Sequence, residues 1–153
     1  MKHNLKEARS TLRLQYARQL AAYEIELSDG ARRIDSAELL RIQEYSMSTP
    51  LRRRFLMHTI VAHLDGNYTD VSNTKKLLCT SRAAMDTMVK EASEAKWIHI
   101  KRNKQKHRSI QATEIVVECW LGYADFVTHL ANKYSLNYLS NSNARIGELL
   151  ETK

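Results

Sequence analysis

The sequence predicts a mostly helical fold that carries one small β-hairpin. Glycine and proline are scarce, with four glycines and one proline in 153 residues, whereas an all-β fold needs turn residues about every 8–12 positions. Apolar residues recur at spacings of three and four along most of the chain, and they alternate loosely only over a short stretch in its second half. Hydrophobic residues make up 43% of the chain and charged residues 27%, which suits a packed core and argues against disorder.

The first third of the chain predicts two helices. The first covers about residues 4–28 and ends at Ser28-Asp29-Gly30. Its apolar stripe comprises Leu5, Ala8, Leu12, Tyr16, Leu20, Tyr23 and Leu27. Asp35, followed three residues later by Glu38, resembles a capping box that opens a second helix ending near Met47. We expect residues 1–48 to serve the core and dimerisation.

Three more helices are predicted before the alternating stretch. Thr49-Pro50 supplies a capping hydroxyl and a proline at the first helical position, and the helix that follows stops near Gly66. Asp70 or Thr69 caps a short helix over residues 70–78, for which we expect Leu77 and Leu78 to face inward. Thr80-Ser81 then breaks the chain and begins a helix over residues 81–95.

The stretch over residues 97–112 predicts two strands joined by a polar turn at 103–107. Thr113-Glu114 caps a long C-terminal helix. The polar run Ser140–Asn143 predicts a break, after which a short helix ends the chain. We therefore divide the chain into N-terminal helices over 1–48, a central lobe over 49–113 and C-terminal dimerisation helices over 114–153.

Two helices joined by a tight turn and followed directly by a hairpin give the order of a winged helix-turn-helix with a two- to three-stranded wing. A helix fits the DNA major groove, where base edges differ. The expected contact residues of the second helix are Ser81, Arg82, Ala83, Asp86, Thr87 and Lys90. Arg82 suits guanine, the Ala83 and Thr87 methyls suit thymine, and Asp86 either accepts from cytosine or orients Arg82.

The hairpin concentrates positive charge. The chain carries a formal net charge of +7, an excess that favours polyanions such as DNA, RNA or an anionic membrane surface. No acidic residue occurs between Lys96 and Arg108. The expected contact residues of the wing are Lys101, Arg102, Lys104, Lys106, His107 and Arg108. We expect them to contact DNA phosphates and to raise affinity without selecting sequence.

Residues 51–113 resemble the winged helix-turn-helix of the multiple-antibiotic-resistance regulator (MarR) family. The matching stretch comprises residues 81–90, Ala92, residues 96–98, the basic wing and Thr113. The family usually has glycine where this chain has Lys96, and its Asp-x-Arg wing signature stands here as Lys106-His107-Arg108. The resemblance implies a homodimer built on long terminal helices, and it leaves room for a small-molecule effector of unidentified chemistry.

Other functional classes lack support in the sequence. No P-loop, GxSxG, HExxH or GxGxxG motif occurs, so we expect no enzyme activity and no cofactor. Cys79 and Cys119 make no CxxC pair, the histidines show no metal-ligand spacing, and we expect both thiols to be packed. Without an apolar signal core or an 18-residue apolar run, the expected location is the cytoplasm, with no membrane partner.

We therefore predict a sequence-specific regulator that binds double-stranded DNA as a homodimer on a near-palindromic operator. Two alternatives stay open. One is a non-regulatory winged-helix protein of replication, partition or phage type that binds nucleic acid. The other is a protein-interaction adaptor whose winged helix has lost DNA binding, and an adaptor would bind no DNA even at low salt.

Overall fold

The structure is a computed structural model that describes residues 1–30, 34 and 36–152. Within these ranges the chain forms seven helices and a three-stranded antiparallel sheet, which confirms the mostly helical fold with a small wing. The elements are α1 (Lys2–Gly30), α2 (Ala37–Ser48), α3 (Pro50–Leu64), β1 (Thr69–Asp70), α4 (Val71–Leu77), α5 (Arg82–Glu94), β2 (Ile98–Arg102), β3 (Arg108–Ala112), α6 (Glu114–Lys133) and α7 (Leu136–Glu151). None of the helices in the described ranges is long and apolar enough to cross a membrane.

The chain divides into two compact units. Met1–Arg33 and Tyr123–Lys153 form one, which we call the terminal unit, and Ile34–Gly122 forms the other, which we call the central unit. Helix α6 contributes its beginning to the central unit and its remainder to the terminal unit. The three-part functional division expected from the sequence stays a prediction.

Side-chain caps fix where the helices of the central unit begin. Thr49 Oγ1 accepts from the Arg52 amide at 3.1 Å with Pro50 next in the chain, which confirms the predicted start of α3. Of the two residues predicted to cap α4, Asp70 does so, since its Oδ1 accepts from the Asn73 amide at 2.8 Å. Ser36 caps α2 through the Leu39 amide, whereas the predicted capping residue, Asp35, lies outside the described residues.

The sheet has the strand order β1-β3-β2 and packs onto a single core. Ile98 pairs with Ala112 and Arg102 with Arg108, so β2 and β3 form the predicted hairpin, while Thr69 pairs with Ile110. The core is formed by buried apolar residues from α2, α3, α4, α5, the sheet and α6, among them Ile42, Phe55, Leu56, Ile60, Val71, Met85, Met88, Val89, Ile110 and Val116. Helix α5 is therefore held along one whole side.

The terminal unit packs α1 against α7. The predicted stripe of α1 is its covered face, with Tyr23 buried beside Leu130 and Leu136. Glu26 accepts hydrogen bonds from the Lys133 ammonium and the Tyr134 hydroxyl, which ties α1 to the end of α6. These bonds lower the pKa of Glu26 and raise the pKa of Lys133 and Tyr134.

Two local predictions are wrong. Helix α7 continues through Ser140–Asn143 because Leu136, Leu139 and Gly147 are buried on one of its faces, and this packing outweighs the low helix propensity of serine and asparagine. The break occurs instead at Ser135, whose φ is +53°. Leu77 is 51% exposed while Leu78 is buried, because α4 ends between them.

Candidate nucleic-acid interface

Helix α5 presents the predicted contact residues on its outer side. Met85, Met88, Val89 and Ala92 are buried in the core, which fixes the rotation of the helix about its axis. Of the predicted set, Ser81, Arg82, Ala83, Thr87 and Lys90 are exposed, and Asp86 is partly exposed. The Arg82 side chain is 88% exposed, so its guanidinium extends into solvent from the first turn of the helix.

Hydrogen bonds within α5 occupy several of its polar groups. Ser81 Oγ accepts from the Ala84 amide at 3.1 Å as the helix cap, and Thr87 Oγ1 donates to the Ala83 carbonyl at 2.9 Å. The Lys90 ammonium lies 4.0 Å from a Glu94 carboxylate oxygen. The groups left most open to a ligand are the Arg82 guanidinium and the Ala83 and Thr87 methyls.

Asp86 lies between two arginines. Its Oδ1 is 2.5 Å from Nη2 of Arg108 on β3, and its Oδ2 is 3.9 Å from Nε of Arg82. The hydrogen bond from Arg108, followed by the nearby positive charges, lowers the pKa of the Asp86 carboxyl. In the structure the Asp86 carboxylate contacts both arginines and ties α5 to the wing, while a contact to cytosine stays a prediction.

The wing turn is held by one asparagine. Asn103 Oδ1 accepts from the amides of Gln105 and His107, at 3.0 and 2.9 Å, and the Asn103 amide donates to the His107 carbonyl at 3.1 Å. Lys106 has a φ of +61°, a left-handed conformation that glycine or asparagine adopts more readily. The turn therefore presents its side chains from an ordered backbone.

Positive charge covers the wing surface. Lys101, Arg102, Lys104, Lys106 and His107 are exposed, and Arg108 is partly buried against Asp86. The Lys101 ammonium lies 4.2 Å above the centre of the Tyr68 ring. Arg102 and Arg108 face each other across the β2–β3 pair, an arrangement that is unfavourable for like charges and that the Asp86 carboxylate offsets.

A cleft of about 340 Å³ separates α4, the start of α5 and the wing. Its lining residues are Val71, Ser72, Lys75, Arg82, Met85, Asp86, Lys106, His107 and Arg108. The sequence-based prediction omitted Ser72 and Lys75. No local pattern in the sequence indicates them, because only the folded chain places this face of α4 beside the wing.

The base of the wing is fixed to the core. The Thr113 hydroxyl donates to the Lys96 carbonyl at 2.9 Å, and the Trp97 ring meets the Tyr45 ring edge to face with centroids 5.1 Å apart. Nearby, Arg52 pairs with Glu91 at 2.9 Å. Lys96, at the position where the MarR family usually has glycine, has a φ of +61°.

The two cysteines differ. Cys119 is partly buried, and burial raises the pKa of its thiol. The prediction of a packed thiol is wrong for Cys79, which is exposed in the turn between α4 and α5 with a φ of +51°. The left-handed backbone at Cys79 makes the tight turn, and it directs the side chain away from the core that Leu78 enters.

Neither a protein-family profile nor a curated protein sequence matches the chain. Among solved structures it is similar to the S. aureus MepR–DNA complex, with 8% identity and a TM-score of 0.45 over 96% of this chain and 98% of that one. It is also similar to a proline-substituted MepR mutant from a multidrug resistant S. aureus clinical isolate, with 13% identity and a TM-score of 0.39 over 77% and 97%.

The order of elements in the central unit establishes the fold on its own. Helix α3, strand β1, helices α4 and α5, and the β2–β3 hairpin follow one another, and β3 pairs with both other strands. This is a mostly helical winged-helix fold, of the kind that the resemblance to the MarR family implies.

Proposed function

We propose that this chain is a sequence-specific transcriptional regulator that binds double-stranded DNA as a homodimer. In this proposal the outer side of α5 enters the major groove and the wing contacts the neighbouring phosphate backbone or minor groove. The single observation that carries it is the juxtaposition, in one compact unit, of the exposed first turns of α5 with a cationic wing.

The chemistry of the two elements supports a duplex as the ligand. Arg82 presents paired donors that match the two acceptors of guanine, and the Ala83 and Thr87 methyls match the methyl group of thymine. The wing offers lysines and arginines without acidic neighbours in sequence, which suits an extended line of phosphates.

The terminal unit supports the homodimer. Leu14 and Ile25 on α1 are more than half exposed, and so are Tyr138 and Leu149 on α7. Each pair is separated by eleven residues, close to three helical turns, so the two exposed apolar side chains of each helix lie on one face. A second copy would cover these side chains, and the two α5 helices would then reach half-sites about one DNA turn apart on a near-palindromic operator.

Selection of duplexes from a random pool tests the proposal. The full chain should enrich an inverted repeat, and binding to the enriched duplex should weaken steeply as salt rises. Light scattering should give twice the mass of one chain. Absence of DNA binding at low salt would overturn the proposal in favour of an adaptor, and binding without any enriched sequence would favour a non-regulatory nucleic-acid protein.

A further inference from the structure

The cleft between α4, α5 and the wing concentrates positive charge from three elements. Four cationic side chains line it, Lys75 from α4, Arg82 from α5, and Lys106 and Arg108 from the wing, and one carboxylate, that of Asp86, opposes them. The Asp86 carboxylate already pairs with Arg108. Within the described ranges, Lys75 and Lys106 make no ion pair.

Cations that converge on one concavity repel one another unless an anion enters it. Val71 and Met85 belong to the buried core, so the cleft opens away from the core. The Ser72 hydroxyl adds a neutral hydrogen-bonding group to the lining. The volume, about 340 Å³, is at the lower end of the range of about 300–1,000 Å³ for ligand pockets, and it suits a phosphate with part of its sugars.

We propose that this cleft binds one phosphodiester of the DNA backbone and that Lys75 contacts this phosphate. Lys75 is not among the contact residues that the sequence predicts. The inference rests on the proposed function. A strand of the duplex separates the major groove from the minor groove. A duplex that engages α5 on one side and the wing on the other must therefore carry a phosphate across the space between them, where the cleft lies.

Asp86 acts here as a positioning residue. Its bond to Arg108 fixes β3 against α5 and so holds the two walls of the cleft together. The pair also neutralises part of the charge, so that the net attraction for a phosphate comes from Lys75 and Lys106, which make no ion pair within the described ranges.

Lys76 supplies a matched control for Lys75. Both lysines are in the last turn of α4, but Lys76 is exposed and does not line the cleft. Lys75→Ala should weaken binding to selected and random duplexes about three- to tenfold and lower the log–log salt slope by about 0.9, as expected for one lost phosphate contact. Lys76→Ala should change both quantities much less, and equal effects of the two variants would overturn the assignment.

A chemically modified duplex sharpens the test and covers the case in which a variant unfolds. Neutral methylphosphonate linkages can replace single phosphodiesters along the selected duplex. At one linkage per half-site, the replacement should weaken DNA binding by the wild-type chain but not by Lys75→Gln. Thermal melting by circular dichroism identifies a misfolded variant, and the wild-type methylphosphonate scan then decides: a scan with no sensitive linkage between the two grooves overturns the cleft assignment.

Inorganic phosphate distinguishes a free anion from a DNA phosphate. If calorimetry shows phosphate binding that depends on Lys75 while Lys75→Ala leaves DNA affinity unchanged, the cleft holds a free anion and the duplex assignment is wrong. If the wild-type chain binds no DNA at low salt, the proposed function fails together with this inference. If it binds DNA but Lys75 and Lys76 behave alike, only the inference fails.

Discussion

Helix α5 and the wing carry similar basic residues in different surroundings. On α5, Arg82 lies beside Asp86 and Lys90 beside Glu94, so each cation has an acidic neighbour one turn away. On the wing, Lys104 and Lys106 project from a turn without acidic neighbours in sequence. Pairing restricts a side chain's orientation and lowers its net attraction for an anion. We therefore expect α5 to supply sequence preference and the wing to supply affinity.

Substitution of Arg82 should have the largest effect on DNA binding and gives the strongest test of this difference between α5 and the wing. Arg82→Ala should cost about 1–3 kcal/mol on the selected duplex, because a bidentate contact to a base is lost. Binding to random duplexes should change much less. Fluorescence anisotropy with both duplexes at one salt concentration measures the difference, and an equal loss on the two would show that Arg82 contacts phosphate.

Lys104 should give the opposite pattern with a smaller effect. Lys104→Ala should weaken all duplexes alike and lower the log–log salt slope by about one. A salt titration of wild type and variant on the selected and random duplexes checks this. A loss confined to the selected sequence would mean that the wing tip contacts a base, and the contrast with α5 would disappear.

The Asp86–Arg108 pair joins the two regions, and its contribution should depend on pH. Because Arg108 lowers the pKa of Asp86 below its ordinary value of 3.8, the pair stabilises the folded state above that value. The contribution is lost as the pH falls through 3.8 toward the lower pKa of the folded state. Asp86→Asn should therefore lower the free energy of unfolding at neutral pH, and the difference from wild type should shrink in acid. Urea titrations across this range measure it, and a difference that persists in strong acid would contradict the ion pair.

The smallest expected effect concerns two lysines of the wing, Lys96 at its base and Lys106 at its tip. Lys96 and Lys106 have the same left-handed φ, +61°. Glycine at either position should raise the free energy of unfolding by about 0.5 kcal/mol, because relief of the left-handed strain exceeds the gain in unfolded-state entropy. Only Lys106→Gly should also weaken DNA binding. Thermal melts and anisotropy measure the two quantities, and equal binding losses would place Lys96 in the interface as well.

The sequence predicted those parts of the fold that depend on periodicity. The residues expected on the outer side of α5 are absent from its buried set, Met85, Met88, Val89 and Ala92, and the change to alternation located β2 and β3. Both signals reflect burial against a single core, which acts on every residue of an element and therefore leaves a pattern in the sequence.

The missed features depend on single residues or on distant contacts. Turns are usually recognised by glycine, but here Cys79, Lys96, Lys106 and Ser135 adopt positive φ without it. The Asp86–Arg108 contact joins residues 22 positions apart, so no local spacing reveals it. Lys75 becomes a candidate only once α4 is placed beside the wing.

Lys106 at the wing tip meets two conflicting requirements, one from its left-handed backbone and one from an anionic ligand. The backbone at 106 favours glycine or asparagine, whereas an anionic ligand favours lysine or arginine. No standard side chain satisfies both. Natural variants of this chain should therefore alternate at 106 between small and basic residues, and a variant with a small residue there should gain a basic one at a neighbouring turn position.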